Sequence, residues 1–102
     1  MPNSVKEDSD LGSFFNYLFI EKGLSKNTIN AYKNDIYEFS CWMKDKHIGD
    51  YKSVAENHIN EFIAHLFKKN LKSSSVNRKI SSLKNFYLFL LKKKQINASP
   101  LS

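Results

Sequence analysis

Four stretches of the chain place apolar residues at helical spacing. In the first, Leu11, Phe14, Phe15, Leu18 and Phe19 share one face, and Asp10 stands where an N-cap belongs. The preceding residues 1–10, MPNSVKEDSD, are polar and aperiodic and read as a flexible arm. Gly23 is placed to end that helix in the left-handed conformation. Ser25 then caps a second helix running to about His47, with the stripe Ile29, Tyr32, Ile36, Phe39 and Met43. Gly49 and Asp50 mark a turn. Ser53 and Glu56 spell an S-x-x-E capping box for a third helix, which buries Ile59, Phe62, Ile63, Leu66 and Phe67 and ends at Asn70. The triplet Ser73–Ser75 opens a fourth helix with Val76, Ile80, Leu83, Tyr87 and Leu90 inward. Lys92–Lys94 suit the negative end of its dipole. The expected architecture is an all-α, compact four-helix bundle over residues 11–96, with residues 97–102 as a linker leading onward.

Composition narrows the class. A chain of 102 residues, 41% hydrophobic and 14% aromatic, builds one domain with a small core. The longest apolar run, Phe86–Leu91, is too short to span a bilayer, and the N-terminus lacks the pattern of a secretory signal. The single cysteine, Cys41, excludes an internal disulfide and fits a reducing compartment. A cytoplasmic protein without a membrane partner is expected.

Charge changes the picture more. Of the formal +6, the excess lies late: residues 62–102 hold eight lysines and Arg78, and the last acid is Glu61. That asymmetry is the footprint of a polyanionic partner, the plainer alternative being a solubilising surface. Two helix openings also rhyme. GLSKNTI and NLKSSSV each surround a helix start with hydroxyls, amides and bases, next to free N–H groups and a positive dipole end. Read together, the two beginnings are neighbours that jointly hold a phosphate backbone. On the fourth helix, Arg78, Ser81, Ser82 and Asn85 lie opposite the buried stripe, with Asn77 and Lys84 at its border. Short side chains let a helix approach a major groove, and the arginine can take a phosphate or a guanine edge. A serine-rich solvated face is the alternative.

GLSKNTINAYKNDIYEF, followed by SSSVNRKISSLKNFYLFL, resembles the N-terminal core-binding domain of Xer-type tyrosine recombinases and phage integrases. Gly23, Leu24, Ser25, Thr28, Tyr32, Asp35, Ile36 and Phe39 occupy the first motif. Ser75, Val76, Arg78, Ile80, Ser81, Leu83, Lys84, Phe86 and Tyr87 occupy the second. The resemblance implies a SAM-like DNA-binding module that covers one face of a recombination-site duplex, while a separate C-terminal catalytic domain closes on the other. It implies backbone contacts from Ser25, Lys26, Asn27 and Thr28, and fourth-helix contacts from Ser75, Asn77, Arg78, Ser81, Ser82 and Lys84. Lysine stands here where many relatives use arginine, which favours phosphate attraction over base reading. Other recombinase protomers on the DNA are further possible partners.

Strand cleavage by such enzymes uses a tyrosine nucleophile among arginines, a lysine and histidines that hold the scissile phosphate. With one arginine in the chain that cluster cannot form, so no activity is expected of this module. Tyr17, Tyr32 and Tyr87 fall in apolar patterns and read as packing residues. His58, Glu61 and His65 approach one face of the third helix, but the spacing and the lack of a second cysteine favour a solvated face over a metal. No cofactor is expected. The run FYLFLL reads as the bundle's centre, or else Leu88 or Phe89 covers a neighbouring surface. Alternatives to the recombinase module are a helix-turn-helix-like regulator and a helical protein-interaction bundle.

Overall fold

The computed structural model describes residues 5–101, with side chains from Asp10 onward. Its elements in order are α1 (Val5–Ile20), α2 (Lys26–Asp45), a 3₁₀ turn (Tyr51–Ser53), α3 (Glu56–Lys68) and α4 (Ser73–Lys92). All four expected helices form, and no strand occurs among the described residues. α4 packs against each of the other three helices. That position explains why Phe86–Leu91 is apolar nearly all round. Phe86, Tyr87, Phe89 and Leu90 are buried, and only Leu88 in the middle of the run is clearly exposed, at 46%. Phe89 therefore belongs to the core and covers Phe14 and Tyr17, with ring centroids 5.4 and 5.1 Å away.

The stripes on α2 and α4 are buried as their spacing requires, with Tyr32 and Ile80 only partly covered. Phe67 is the exception on α3: it is 49% exposed, at the edge of the stripe one turn after the half-buried Ile63, while its neighbour Leu66 is fully buried. Trp42 joins the core from α2, stacking on Phe39 at 5.8 Å. Tyr87 is fully buried and its hydroxyl donates to the Tyr51 carbonyl at 2.8 Å, tying α4 to the 3₁₀ turn. Burial pushes the Tyr87 phenol far above its ordinary range, so it acts as a neutral donor.

Helix boundaries follow the caps in most places. Ser25 Oγ accepts from the Thr28 N–H at 3.2 Å, as expected of the N-cap. Gly23 and Asn70 both adopt left-handed backbone, with φ of 63° and 62°. Three boundaries differ from expectation. α1 begins at Val5, so Asp10 lies inside the helix instead of capping it; no glycine or proline between Val5 and Leu11 halts propagation upstream. Residues 1–4 of the expected arm lie outside the described residues.

The Ser53–Glu56 capping box does not form, because Ser53 belongs to the 3₁₀ turn that Asp50 caps through the Lys52 N–H at 3.0 Å. α3 starts after Ala55, whose N–H donates to His58 Nδ1 at 2.9 Å. At the other end, Ile96 and Leu101 pack partly buried against the core, so the tail lies along the bundle through Leu101.

Candidate nucleic-acid interface

The surface of interest is the seam between α2 and α4. Asn85 Nδ2 on α4 donates to the Tyr32 hydroxyl at 2.9 Å. One turn along α2, Asp35 accepts from Arg78 Nη2 at 3.0 Å and from Ser82 Oγ at 2.7 Å. One turn further, Glu38 accepts from Lys79 Nζ at 2.6 Å. Residue numbers rise on α2 as they fall on α4, so the two helices run antiparallel.

That direction corrects the expectation that their beginnings are neighbours. Ser73 falls near the end of α2, and the two starts are separated by roughly 27 Å at about 1.5 Å per residue. The Ser25 and Ser75 regions cannot share one phosphate.

Ser25, Lys26, Asn27 and Thr28 are all exposed at the start of α2. Ser25 Oγ donates to Thr28 Oγ1 at 3.0 Å, so the two hydroxyls form a local pair at the cap. On α4, Asn77, Arg78, Ser81 and Lys84 are exposed and Ser75 is half-buried. Ser82 is the one candidate that the structure removes from the surface. It is 2% exposed and its hydroxyl is committed to Asp35. Ser81 and Ser82 looked equivalent as small polar residues, but about 100° of helix rotation puts one in water and the other in the seam.

The seam also shows where the acid-free second half finds its counter-charges. Asp35, with 1% of its side chain exposed, pairs with both Arg78 and Lys79. Glu38 pairs with Lys79 at 2.6 Å and Lys69 at 3.1 Å. A buried carboxylate is tolerable only when donors surround it, and here every buried side-chain polar atom of the described residues has a partner. The remaining acid of α2 is Asp45, at its far end, so from Lys26 to Lys44 no carboxylate is left unpaired. Lys26, Lys72 and Lys84 make no ion pair among the described residues and add uncompensated charge to this side.

Burial pushes the Glu38 carboxyl upward, but hydrogen bonds from Lys79 and Lys69 outweigh it and hold the group below its ordinary value of 4.5. A lowered carboxyl contributes stability that is complete above 4.5 and disappears as pH falls through the folded-state value. Glu38→Gln is therefore expected to lose up to about 1 kcal/mol at neutral pH and less in acid. Urea melts between neutral pH and about pH 3 check this; parallel profiles for the two proteins would refute it.

Other candidate chemistries acquire structural explanations. His58 caps α3, and His65 stacks on Phe62 with centroids 6.1 Å apart. Tyr17 is half-buried under two lysines, with Lys22 Nζ 5.8 Å and Lys92 Nζ 5.2 Å from its ring centroid. Cys41 is exposed on α2. No helix of the described residues is long and apolar enough to cross a membrane.

Residues 11–94 match the family model of the phage integrase N-terminal SAM-like domain. The chain belongs to that family. Among curated relatives it is 37% identical over 89 residues to the tyrosine recombinase XerC of Listeria welshimeri, covering 87% of this chain and 30% of that protein. It is 38% identical over 92 residues to the XerC of Anoxybacillus flavithermus, covering 90% and 31% respectively. With the tyrosine recombinase XerD of Rickettsia bellii it shares 32% over 91 residues, 89% of this chain and 30% of that one. The chain spans about 30% of the length of the curated relatives it matches. No solved structure matches it.

Within this integrase domain, Asp35 is the residue whose part in the surface sequence reasoning missed. It was visible as a motif position, yet its stripe neighbours Ile36 and Phe39 said only that an acid stood beside the core. A usable signal was the complementary pattern: acids at positions 35 and 38 of α2, and bases at 78 and 79 of α4 with a small hydroxyl at 82.

Proposed function

We propose that this chain is the DNA-binding module of a site-specific tyrosine recombinase, and that its α2–α4 surface lies on the recombination-site duplex. The observation that carries this reading is the seam. Every carboxylate between Lys26 and Lys44 is neutralised by a base of α3–α4 or the turn between them. What faces outward is a run of amides, hydroxyls and bases: Lys26, Asn27 and Thr28 at one end, and Asn77, Arg78, Ser81 and Lys84 along α4. Membership of the integrase family, and relatives named tyrosine recombinases, support the same reading.

The two helix starts then engage different phosphates of one strand or of both, with the short side chains of α4 between them. Strand cleavage and rejoining belong, in this reading, to a catalytic domain beyond Ser102, because a single arginine cannot supply the phosphate-holding cluster. The duplex and that domain are the partners, and a cytoplasmic setting follows from them.

The test is duplex binding by fluorescence anisotropy across a salt series. A module that meets mostly phosphates binds with a Kd of about 10⁻⁴–10⁻⁶ M. If about four bases engage, log K falls against log salt with a slope near −3 to −4. Binding that ignores salt, or no binding at low ionic strength, sinks the proposal. Salt-insensitive binding to a protein would favour the interaction-bundle alternative.

A further inference from the structure

We infer that Asp35 is a positioning residue, which holds the Arg78 guanidinium ready for the duplex before any DNA arrives; this rests on the DNA-binding reading above. Asp35 is an unusual group to find at this place. A carboxylate in the seam of a small bundle is expensive to bury, and a packed apolar side chain there serves stability as well or better. Its three donors all come from α4, and they differ in what they do.

Ser82, buried, donates to Oδ2 at 2.7 Å and fixes the plane of the carboxylate. Lys79, with only 14% of its side chain exposed, sits 3.4 Å from Oδ1 and is shared with Glu38, so it is a structural counter-charge. Arg78 is different. It reaches Oδ1 at 3.0 Å through Nη2 alone, while 56% of its side chain stays exposed.

One edge of the guanidinium fork is therefore committed inward and the remaining donors are left to the solvent side. A long arginine side chain loses rotamer freedom when it binds a ligand, and a side chain already held loses less. Asp35 supplies that hold, and Ser82 supplies the orientation of Asp35. Ser82 thus acts on the DNA surface from beneath it without touching DNA.

Charge and position make opposite predictions for Asp35→Asn, which makes the inference decidable. Removing the carboxylate raises the net charge by one, and electrostatics alone says that the variant binds duplex more tightly. Loss of a held Arg78 says that it binds more weakly, by about two- to tenfold. The probe is a fluorescein-labelled 20-base-pair random-sequence duplex at low ionic strength, with anisotropy read for wild type, Asp35→Asn, Arg78→Ala and the double variant.

The expected result is weaker binding by Asp35→Asn, and no further weakening when it is added to Arg78→Ala. Equal or tighter binding by a folded Asp35→Asn overturns the inference while leaving the DNA-binding reading intact. Failure of the wild type to bind overturns both. If Asp35→Asn does not fold, as judged by circular dichroism, Ser82→Ala replaces it. That variant keeps all charges and should weaken binding about twofold, an effect that must vanish in the Arg78→Ala background. An unchanged Ser82→Ala affinity then overturns the inference.

Discussion

Phe86→Ala is expected to destabilise the domain by about 3–5 kcal/mol, the range for removing a fully buried aromatic ring. Phe86 has no exposed surface, and its ring lies 5.3 Å from Phe14 of α1, 5.1 Å from Tyr51 of the 3₁₀ turn and 5.4 Å from Tyr87. These neighbours come from three different elements, α1, the 3₁₀ turn and α4, so filling the hole requires them to move together. Against a total stability of about 5–15 kcal/mol for a chain of this size, the loss is a large fraction. Thermal melts followed by circular dichroism should show a midpoint lowered by roughly 15 °C or more. Phe86→Leu keeps most of the volume and should lose about half of that or less. A drop of only a few degrees for the alanine variant would mean that α1 and the turn collapse onto α4, and that Phe86 is not the joint between them.

The same residue illustrates what the sequence makes legible. A run of aromatic and aliphatic residues inside a helical stripe demands burial on more than one side, and an inner helix is the simplest way to provide it. Periodicity settles such questions because burial is decided locally, by rotation about one helix axis. The left-handed ends at Gly23 and Asn70 are local in the same sense. The antiparallel pairing of α2 with α4 is not.

Nothing in GLSKNTI or in NLKSSSV states which end of the other helix lies beside it, and the likeness of the two openings suggested a closeness that the fold does not have. Ser82 shares this difficulty: its partner, Asp35, is distant in the chain, so its burial depends on a register that no local pattern encodes. At α3 the local signal misled for another reason. The residues of the S-x-x-E pattern were right in type, but Tyr51 and Val54 are both buried, and seating them winds Ser53 into a 3₁₀ turn. His58 takes the part expected of Glu56, accepting from the N–H of the N-cap residue Ala55, and no side chain takes the part expected of Ser53.

Stripping the bases from the seam should be as damaging as hollowing the core, and for a reason that can be reversed. In Arg78→Ala with Lys79→Met, the buried Asp35 carboxylate keeps only the Ser82 hydroxyl of its present donors, and Glu38 keeps only Lys69. Leaving a buried charge without its partners costs about 3–5 kcal/mol, more than the pairs themselves contribute. Adding Asp35→Leu removes the stranded charge and gives the introduced methionine side chain an apolar neighbour in its place. The triple variant should therefore recover to within about 1–2 kcal/mol of the wild type, since buried ion pairs are often replaceable by packed apolar groups. Duplex affinity should not recover with it, because Arg78 is gone and the seam no longer presents a fixed cation. Urea melts and anisotropy on the same three proteins separate the two roles. Recovery of both stability and binding would mean that the seam serves the fold alone and that the DNA contacts lie elsewhere on α2.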